Sequence, residues 1–278
     1  MKFLDNVKNS LYNPDFYGEL KHQTVGSSVK YFYFLAFILS FIVAFVVGNM
    51  LSPLYSTESL KRVASYYPAE LTLSIKSGVI STNVSEPYII KSKTLGIETE
   101  RGHLNAVVID TRNSFTRELF EQYDTNVWVG KDFVVTAKDS SRFELTDMSQ
   151  VHDLTLNQEK LFSWADIIGG YHLAISLSLF ALLLIAFLSY LSAHLILFFI
   201  TSLLVLGIVK LKKIELSYKN CYQIVLHAAT VPLILETVFI LSGVVSPFPF
   251  FFSLILLIIV FVNLKPAREL MINPVSKA

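Results

Sequence analysis

The sequence contains one cysteine and two tryptophans among 278 residues, and several familiar catalytic patterns are missing from it. A single thiol, Cys221, cannot form a disulfide within the chain. No Cys and His residues have the spacing of a zinc site, and no H-E-x-x-H, phosphate-binding P-loop or G-x-S-x-G pattern occurs. The sequence therefore predicts no metal, no cofactor and no assembled catalytic set.

Charged side chains are missing from residues 167–209, a stretch of forty-three positions. A helix needs about 20 apolar residues to cross the hydrocarbon core of a bilayer. Because this stretch is about twice as long, it favours two crossings joined by a tight turn. The most polar part, residues 189–194, is the expected turn. The sequence therefore predicts a helical hairpin in the membrane, with arms at residues 167–189 and 191–209.

Three further apolar stretches have the length of membrane spans, at residues 31–51, 224–243 and 248–264. The first exceeds the roughly 7–15 apolar residues of a cleavable signal peptide and is expected to stay as an anchor. Together with the hairpin, these stretches predict an integral membrane all-α bundle of five transmembrane helices. Four of the five lie in residues 167–264, and the predicted location is the cell membrane.

Residues 52–166 contain no apolar run of membrane length and are expected to fold in water between spans 1 and 2. This region has twelve Lys/Arg and sixteen Asp/Glu, a net charge of −4, and the remainder of the chain is +5. Short β-branched and aromatic runs alternate with two helix-favouring stretches, which predicts a small α+β domain. Since no basic surface suited to nucleic acid is present, the expected partners are the lipid bilayer and an unidentified membrane or soluble protein.

The two ends of the chain are rich in lysine. Residues 1–30 contain four lysines, and Leu4, Val7 and Leu11 recur at helical spacing. This tail is therefore expected either to lie on the membrane surface as an amphipathic helix or to be loosely ordered. Residues 265–278 form the predicted C-terminal tail.

Glu236 is the only carboxylate inside any predicted span. An ionised group at that depth costs about 2.5–3.5 kcal/mol on insertion scales, so Glu236 is expected to face the bundle, to pair or to stay protonated. Ser40, Ser178 and Thr201 fall near the middle of their own spans. We therefore predict a polar cluster of these four residues at the bundle centre. The alternative is a protonated Glu236 that is hydrogen-bonded only for helix packing.

Two residues in the same span accompany Glu236. Pro232 lies four positions before it on one small-residue face, is expected to kink the helix, and leaves the carbonyl of Ala228 without its usual N–H donor. His227 lies nine positions before Glu236, which places the two on opposite faces of a helix. His227 is therefore expected near interfacial water with a structural role.

Several short stretches carry a resemblance to a known family: Ser10-Leu11-Tyr12-Asn13-Pro14, Lys76-Ser77-Gly78 with Glu86-Pro87, Val108-Ile109-Asp110-Thr111, Lys131-Asp132-Phe133-Val134-Val135 and Leu216-Ser217-Tyr218-Lys219. In this order they resemble the bacterial membrane family catalogued as domain of unknown function 1189. The resemblance implies one span, a soluble domain and four further spans. Some members are encoded beside maltodextrin-uptake genes, which implies an accessory role in solute uptake. More distantly, the lysine-rich loop before Pro232 resembles the Yip-type membrane fold.

The orientation in the membrane depends on where basic residues lie, because Lys and Arg near membrane ends mark the cytoplasmic side. Five spans place the N-terminal tail, with four lysines, opposite the soluble domain, the loop at residues 210–223 and the C-terminal tail. Those segments have nine basic residues near the membrane, which favours a cytoplasmic domain. The first span alone, with four basic residues before it and two after it, favours the opposite orientation.

Three classes of function follow from these patterns. The first is a non-enzymatic accessory or scaffolding protein whose soluble domain binds a partner while the membrane helices anchor it. The second is a small transporter or proton-coupled channel component that uses Glu236 and therefore needs water to reach this carboxylate. The third, an intramembrane hydrolase, requires a paired nucleophile and base that the sequence does not supply.

Overall fold

The computed structural model describes residues 2–95, 104–138, 142–244 and 250–264. The chain divides into two compact units. One unit, here called the helical unit, comprises Met1–Leu51 and Ala174–Ala278. The other, here called the inserted domain, comprises Ser52–Leu173. The C-terminal tail at residues 265–278 and the first two residues of the predicted span at 248–264 lie outside the described residues.

The described residues contain α-helices and β-strands in a mixed order along the chain. The helices are α1 (Lys2–Leu11), α2 (Pro14–Glu19), α3 (Val25–Leu51), α4 (Thr57–Ala64), α5 (Arg117–Tyr123), α6 (Gln158–Gly170), α7 (His172–Leu211), α8 (Tyr218–Ala228), α9 (Thr230–Ser242) and α10 (Phe251–Asn263). The strands are β1 (Leu73–Lys76), β2 (Val79–Thr82), β3 (Tyr88–Lys91), β4 (Asn105–Ile109), β5 (Thr125–Val129), β6 (Phe133–Ala137), β7 (Phe143–Asp147) and β8 (Leu154–Leu156).

Three helical segments are long and apolar enough to cross a membrane: Val25–Tyr55, His172–Leu211 and Tyr218–Ser242. Their mean hydropathies are 2.5, 2.4 and 2.1. The helix Phe251–Asn263 is also apolar but has only 13 residues. The membrane location predicted from the sequence is thus supported by three candidate spans among the described residues, and five spans are not observed.

The predicted hairpin is wrong, because α7 is one continuous helix of 40 residues. At 1.5 Å per residue it is about 60 Å long. Two of the polar side chains assigned to the turn at residues 189–194 contact carbonyls of the same helix instead. Ser192 Oγ donates to Leu188 O over 2.7 Å, and His194 Nδ1 lies 3.3 Å from Tyr190 O. A Ser or His side chain that is satisfied in this way does not interrupt a helix.

The span predicted at residues 224–243 begins earlier and is divided in two. A capping box formed by Ser217 and Asn220 starts α8 at Tyr218. The helix is interrupted at Ala229, three residues before Pro232. This is where a proline that lacks an N–H is expected to disturb the helical hydrogen bonds. At the other end, Gly243 adopts φ 68° and terminates α9, a conformation that glycine tolerates at a helix C-terminus.

Residues 2–30 are folded as part of the helical unit rather than forming a tail. Asn13 caps α2 by accepting from Phe16 N over 3.1 Å, and Pro14 occupies the first helical position. Tyr17 and Leu20 are buried in the core. In addition, Asn13 N donates to the side chain of Asn263 on α10 over 2.7 Å. The loosely ordered alternative is therefore wrong, and residues from Val25 onward already belong to α3.

Side-chain contacts define the direction of α3 and α7 within the helical unit. Phe32 of α3 packs edge-to-face on Phe198 of α7, with ring centroids 5.7 Å apart. Phe41, further along α3, packs on Phe180, which lies earlier in α7, at 5.4 Å. Since the residue numbers rise on one helix and fall on the other, α3 and α7 are antiparallel.

The helices α8 and α9 run in the same direction as α3. Near the start of α3, Gln223 Nε2 donates to Gln23 O over 2.9 Å, and about two turns further on the hydroxyls of Tyr31 and Thr230 lie 2.8 Å apart. Helix α10 then returns antiparallel to α9. Its C-terminal carbonyl at Leu264 accepts from Lys212 Nζ, just after α7, over 2.7 Å.

The inserted domain is an α+β fold, as predicted. Its five-stranded sheet has the order β3-β4-β5-β6-β7, with β4 and β5 parallel and the other pairs antiparallel. Helix α5 makes the crossover between the two parallel strands. A second sheet has the order β2-β1-β8. The buried side chains of Phe120, Trp128, Phe133 and Val135 form the core under α5.

Candidate functional site

Glu236 pairs with two residues of α7. Its Oε1 accepts a short hydrogen bond from the hydroxyl of Tyr190, and its Oε2 lies 3.5 Å from His194 Nε2. Tyr190 and His194 are four residues apart and so lie on the same face of α7. The carboxylate is therefore paired across two helices, as expected for an acidic group placed among apolar helices.

A pocket of about 260 Å³ lies beside this pair. Its walls combine Tyr190 and Glu236 with Pro232 and aromatic or aliphatic side chains, including Phe239 and Phe252. The arrangement can accommodate an apolar group next to a carboxylate. Pro232 forms part of the wall and contributes no N–H donor to the pocket.

The predicted cluster of Glu236 with three hydroxyls does not form. Thr201 Oγ1 donates to Leu197 O in its own helix over 3.0 Å. Ser178 is exposed, and Ser40 Oγ is buried with no hydrogen-bond partner among the described residues. Because Ser178 and Thr201 belong to one helix, 23 residues separate them by about 35 Å. The two therefore cannot both approach Glu236.

The sequence reasoning missed Tyr190 and His194 because it placed both in a turn. The signal that could have revealed them is their spacing of four residues, which puts a phenol and an imidazole on one helix face. This spacing indicates a shared face only if the helix is continuous through residues 190–194.

His227 lies inside the helical unit rather than at interfacial water. Its ring stacks on Tyr31, with centroids 4.4 Å apart, and meets the edge of Phe16 at 5.2 Å. Its Nδ1 lies 3.3 Å from Ser10 Oγ, and Tyr17 donates to Ser10 O over 2.8 Å. These contacts join α1 and α2 to α8, which is consistent with the structural role expected for His227.

The inserted domain contains a second candidate site, an apolar pocket of about 450 Å³. The helices α4 and α6 form one wall, and β1, β3 and β4 contribute further side chains. All fifteen lining residues are aliphatic, aromatic or proline, among them Leu60, Val63, Leu161, Trp164 and Ile109. A pocket of this size and composition suits a small apolar ligand.

The two helices of this wall pack closely along their length. Gly169 of α6 faces Thr57 at the start of α4, and a Cβ at Gly169 would lie 2.7 Å from Thr57 Cα. Lys61 and Asp166 also form an exposed ion pair at 2.6 Å. The sequence reasoning missed this pocket, although the apolar residues of α6 recur at helical spacing.

A pocket of about 570 Å³ with polar and apolar side chains, here called the polar pocket, adjoins the apolar pocket and shares four of its residues, including Tyr67 and Ile90. Here Tyr88 donates to Glu70 Oε1 over 2.5 Å, and Gln158 Nε2 donates to Tyr67 O over 2.8 Å. Burial, together with the hydrogen bond to Glu70, raises the pKa of Tyr88 to about 12. The same hydrogen bond lowers the pKa of Glu70.

A buried carboxylate, Asp110, organises the end of β4. Its side chain accepts from Tyr123 over 2.5 Å, from Asn113 over 2.7 Å and from Arg112 N over 3.1 Å. Burial alone would raise the pKa of Asp110, but these hydrogen bonds outweigh burial and lower it. The backbone carbonyl of the same residue accepts from Trp128 Nε1 over 3.0 Å.

Glu86 extends this network. Its carboxylate accepts from the backbone N of Thr111 over 2.6 Å and from Thr111 Oγ1 over 2.9 Å. Two of the short stretches singled out in the sequence, at residues 86–87 and 108–111, therefore meet in one hydrogen-bonded network. All its members are satisfied by one another, which is typical of a structural role.

Comparison with known proteins adds a family to this description. No curated protein and no solved structure matches the chain. A family model described as "Protein of unknown function (DUF1189)" matches residues 4–264. That range includes most of the helical unit, all of the inserted domain, the Glu236 pair and the three pockets described above. The chain therefore belongs to the DUF1189 family.

Proposed function

We propose that this protein is a non-enzymatic accessory component of a membrane complex, in which the inserted domain binds an apolar group and the helical unit anchors the chain. The observation that carries this proposal is the apolar pocket walled by α4 and α6. Helix α4 begins two residues after the apolar segment that ends at Tyr55, and α6 ends two residues before His172. Binding in the pocket is thereby linked to two membrane helices. The family resemblance connects such a role to solute uptake.

A photo-crosslinking residue in the pocket tests this role. Val63 lines the pocket and is 67% exposed, whereas Val79 on β2 is 43% exposed and does not line it. In native membranes we expect an adduct of defined mass at Val63 and none at Val79. Equal adducts at both positions, or none at Val63, would contradict the proposal.

We also propose that the chain crosses the membrane four times, through α3, α7, the pair α8–α9, and α10. This arrangement follows from one continuous α7 and from the alternating helix directions in the helical unit. It places the N-terminus and the loop after α7 on one side, and the inserted domain on the other. With four crossings, the count of basic residues that favoured a cytoplasmic domain does not apply, because that count assumed five crossings.

If the chain crosses the membrane four times, most of the basic residues near the membrane lie on one side. Eight lysines belong to the side of the N-terminus and the loop, and three basic residues flank the membrane helices in the inserted domain. The eight are Lys2, Lys8, Lys21, Lys30, Lys210, Lys212, Lys213 and Lys219, and the three are Lys61, Arg62 and Lys160. Because basic flanks mark the cytoplasmic side, we infer that the inserted domain faces away from the cytoplasm.

Thiol labelling in intact cells tests this orientation. The native Cys221 is buried, so a Cys221→Ala background removes the only native thiol. In that background we expect Ser149→Cys, exposed in the inserted domain, to react with a membrane-impermeant maleimide. Glu215→Cys, exposed after α7, should react only after lysis. The reverse pattern would place the domain in the cytoplasm.

A second candidate function is a small transporter or proton-coupled channel component that uses Glu236. The observation that favours it is a carboxylate paired with Tyr190 and His194 beside a pocket among apolar helices. In sealed vesicles, this function predicts that Glu236→Gln abolishes proton-coupled uptake while the purified variant remains monodisperse. Unchanged uptake would exclude the role.

A further inference from the structure

We propose that the apolar pocket of the inserted domain holds one acyl chain of a membrane lipid, with the polar part of the lipid in the adjoining polar pocket. This inference rests on the binding role proposed above and names the chemical class of the ligand.

The lining of the pocket favours a hydrocarbon chain over a peptide segment. A buried peptide has backbone N–H and C=O groups that cost free energy unless they are hydrogen-bonded. The only polar side-chain atoms of the lining are those of Tyr66, Tyr67 and Trp164. The hydroxyl of Tyr67 already donates to Leu156 O over 3.2 Å. An acyl chain has no polar groups to satisfy, so the pocket suits it without further partners.

The shape of the site favours an amphiphile. The apolar pocket, of about 450 Å³, falls within the range of about 300–1,000 Å³ that is usual for small-molecule sites. It meets the polar pocket at Tyr66, Tyr67, Pro68 and Ile90. The polar pocket offers the exposed ammonium of Lys91 and the hydrogen-bonded side chains of Glu70, Tyr88 and Gln158. A single molecule that is apolar at one end and polar at the other would occupy both pockets.

The chain keeps this site close to a source of lipid. Leu60 in the pocket wall is five residues beyond Tyr55, where an apolar helix of membrane length ends. Five residues span at most about 18 Å even when fully extended. On the other side, Ile168 is four residues before His172, where α7 begins. The pocket wall is therefore connected to each of these two membrane helices by only four or five residues.

Photoaffinity labelling of the full-length protein tests the proposal. The protein is reconstituted in phosphatidylcholine vesicles that contain a phospholipid with a diazirine on one acyl chain. After irradiation, labelled peptides are mapped by mass spectrometry. We expect labelling in α4 and α6 in addition to the membrane helices.

Two variants and one control separate pocket occupancy from general lipid contact. Val63→Trp closes the pocket from an exposed position, and Ala165→Trp fills it from a buried one. Ala174→Trp adds the same ring at an exposed position of α7 outside the pocket. We expect the two pocket variants to lower labelling of α4 and α6 about tenfold, which corresponds to about 1.4 kcal/mol. The control should label like the wild type.

Several outcomes would overturn the proposal. These are equal labelling in Val63→Trp and the wild type, labelling confined to the membrane helices, or labelling by a free diazirine fatty acid but not by the phospholipid. Val63→Trp keeps the test valid if Ala165→Trp does not fold. A protein adduct at Val63 in native membranes without lipid labelling would refute the acyl chain while leaving the binding role intact. If neither the Val63 adduct nor lipid labelling of α4 and α6 is found, both the binding role and the acyl chain are refuted.

Discussion

The helical unit and the inserted domain satisfy their buried polar groups in different ways. In the helical unit, the hydroxyls of Ser192, Thr201, Ser202 and Thr237 each donate to the carbonyl four residues earlier in the same helix. In the inserted domain, Asp110 gathers donors from a loop, a helix and a strand. Local satisfaction is expected where no water is available to complete a hydrogen bond.

This difference indicates which polar groups in the helical unit are useful guides to a functional site. A serine bonded to its own helix is independent of the tertiary structure, so it says little about the arrangement of helices. Glu236 and His227 are different, because their partners come from other helices. Polar residues at mid-span are therefore weak guides to a site, and interhelical pairs are better ones.

The largest expected effect is in the inserted domain. Asp110→Ala leaves the donors of Tyr123 and Asn113 without an acceptor, and should lower the free energy of unfolding by about 3 kcal/mol. Both tryptophans lie in this domain, so intrinsic fluorescence during urea unfolding reports on it directly. Asp147→Ala removes an exposed carboxylate whose side-chain hydrogen bonds, among the described residues, are to Ser149, and it should change little. Similar losses in both variants would refute the structural role of Asp110.

Lowering the pH should gradually remove the contribution of Asp110 to the free energy of unfolding. The pKa of Asp110 is lower in the folded domain than in the unfolded chain, where an aspartate titrates near about 3.9. Its stabilisation is therefore complete above about pH 4 and is lost as the pH falls through the folded-state pKa. We expect urea unfolding, measured at pH 5 and at a series of lower pH values, to show this loss of stability in the wild type. The loss should be smaller in Asp110→Asn. Identical pH profiles would mean that other groups govern acid unfolding.

A smaller effect separates interhelical from local hydrogen bonds in the helical unit. Tyr190→Phe removes the donor to Glu236 and should destabilise the unit by about 1 kcal/mol, typical of interhelical hydrogen bonds in membrane proteins. Thr201→Val removes only a bond within α7 and should have a smaller effect. Thermal unfolding in detergent, followed by size-exclusion chromatography, measures both. Equal losses of stability in Tyr190→Phe and Thr201→Val would show that interhelical and local hydrogen bonds contribute alike.

The smallest effect is expected at the ion pair between α4 and α6. Lys61 and Asp166 are both largely exposed, and exposed pairs contribute about 0–1 kcal/mol. Lys61→Ala should therefore shift the urea midpoint only slightly, and added salt should reduce the difference further. Gly169→Ala, which introduces a Cβ against Thr57, should destabilise the domain more. A larger loss from Lys61→Ala would mean that charge, rather than close packing, holds the two helices together.

The sequence by itself determined the membrane location and the α+β character of the inserted domain, because long charge-free runs and alternating apolar residues depend only on local composition. It also identified Glu236 as a carboxylate that must face the bundle, pair or stay protonated, since the cost of an exposed charge in lipid does not depend on the fold. It could not decide between one helix and two at residues 167–209. A charge-free run of that length satisfies both, and the structure shows one continuous helix.

The continuity of α7 also determined which residues meet elsewhere in the helical unit. It moved Tyr190 and His194 from a turn to the face that meets Glu236, and it separated Ser178 from Thr201. The apolar pocket was likewise decided by tertiary structure, because its walls come from helices and strands far apart in the chain. Partners distant in sequence are fixed by packing, and no local pattern specifies them.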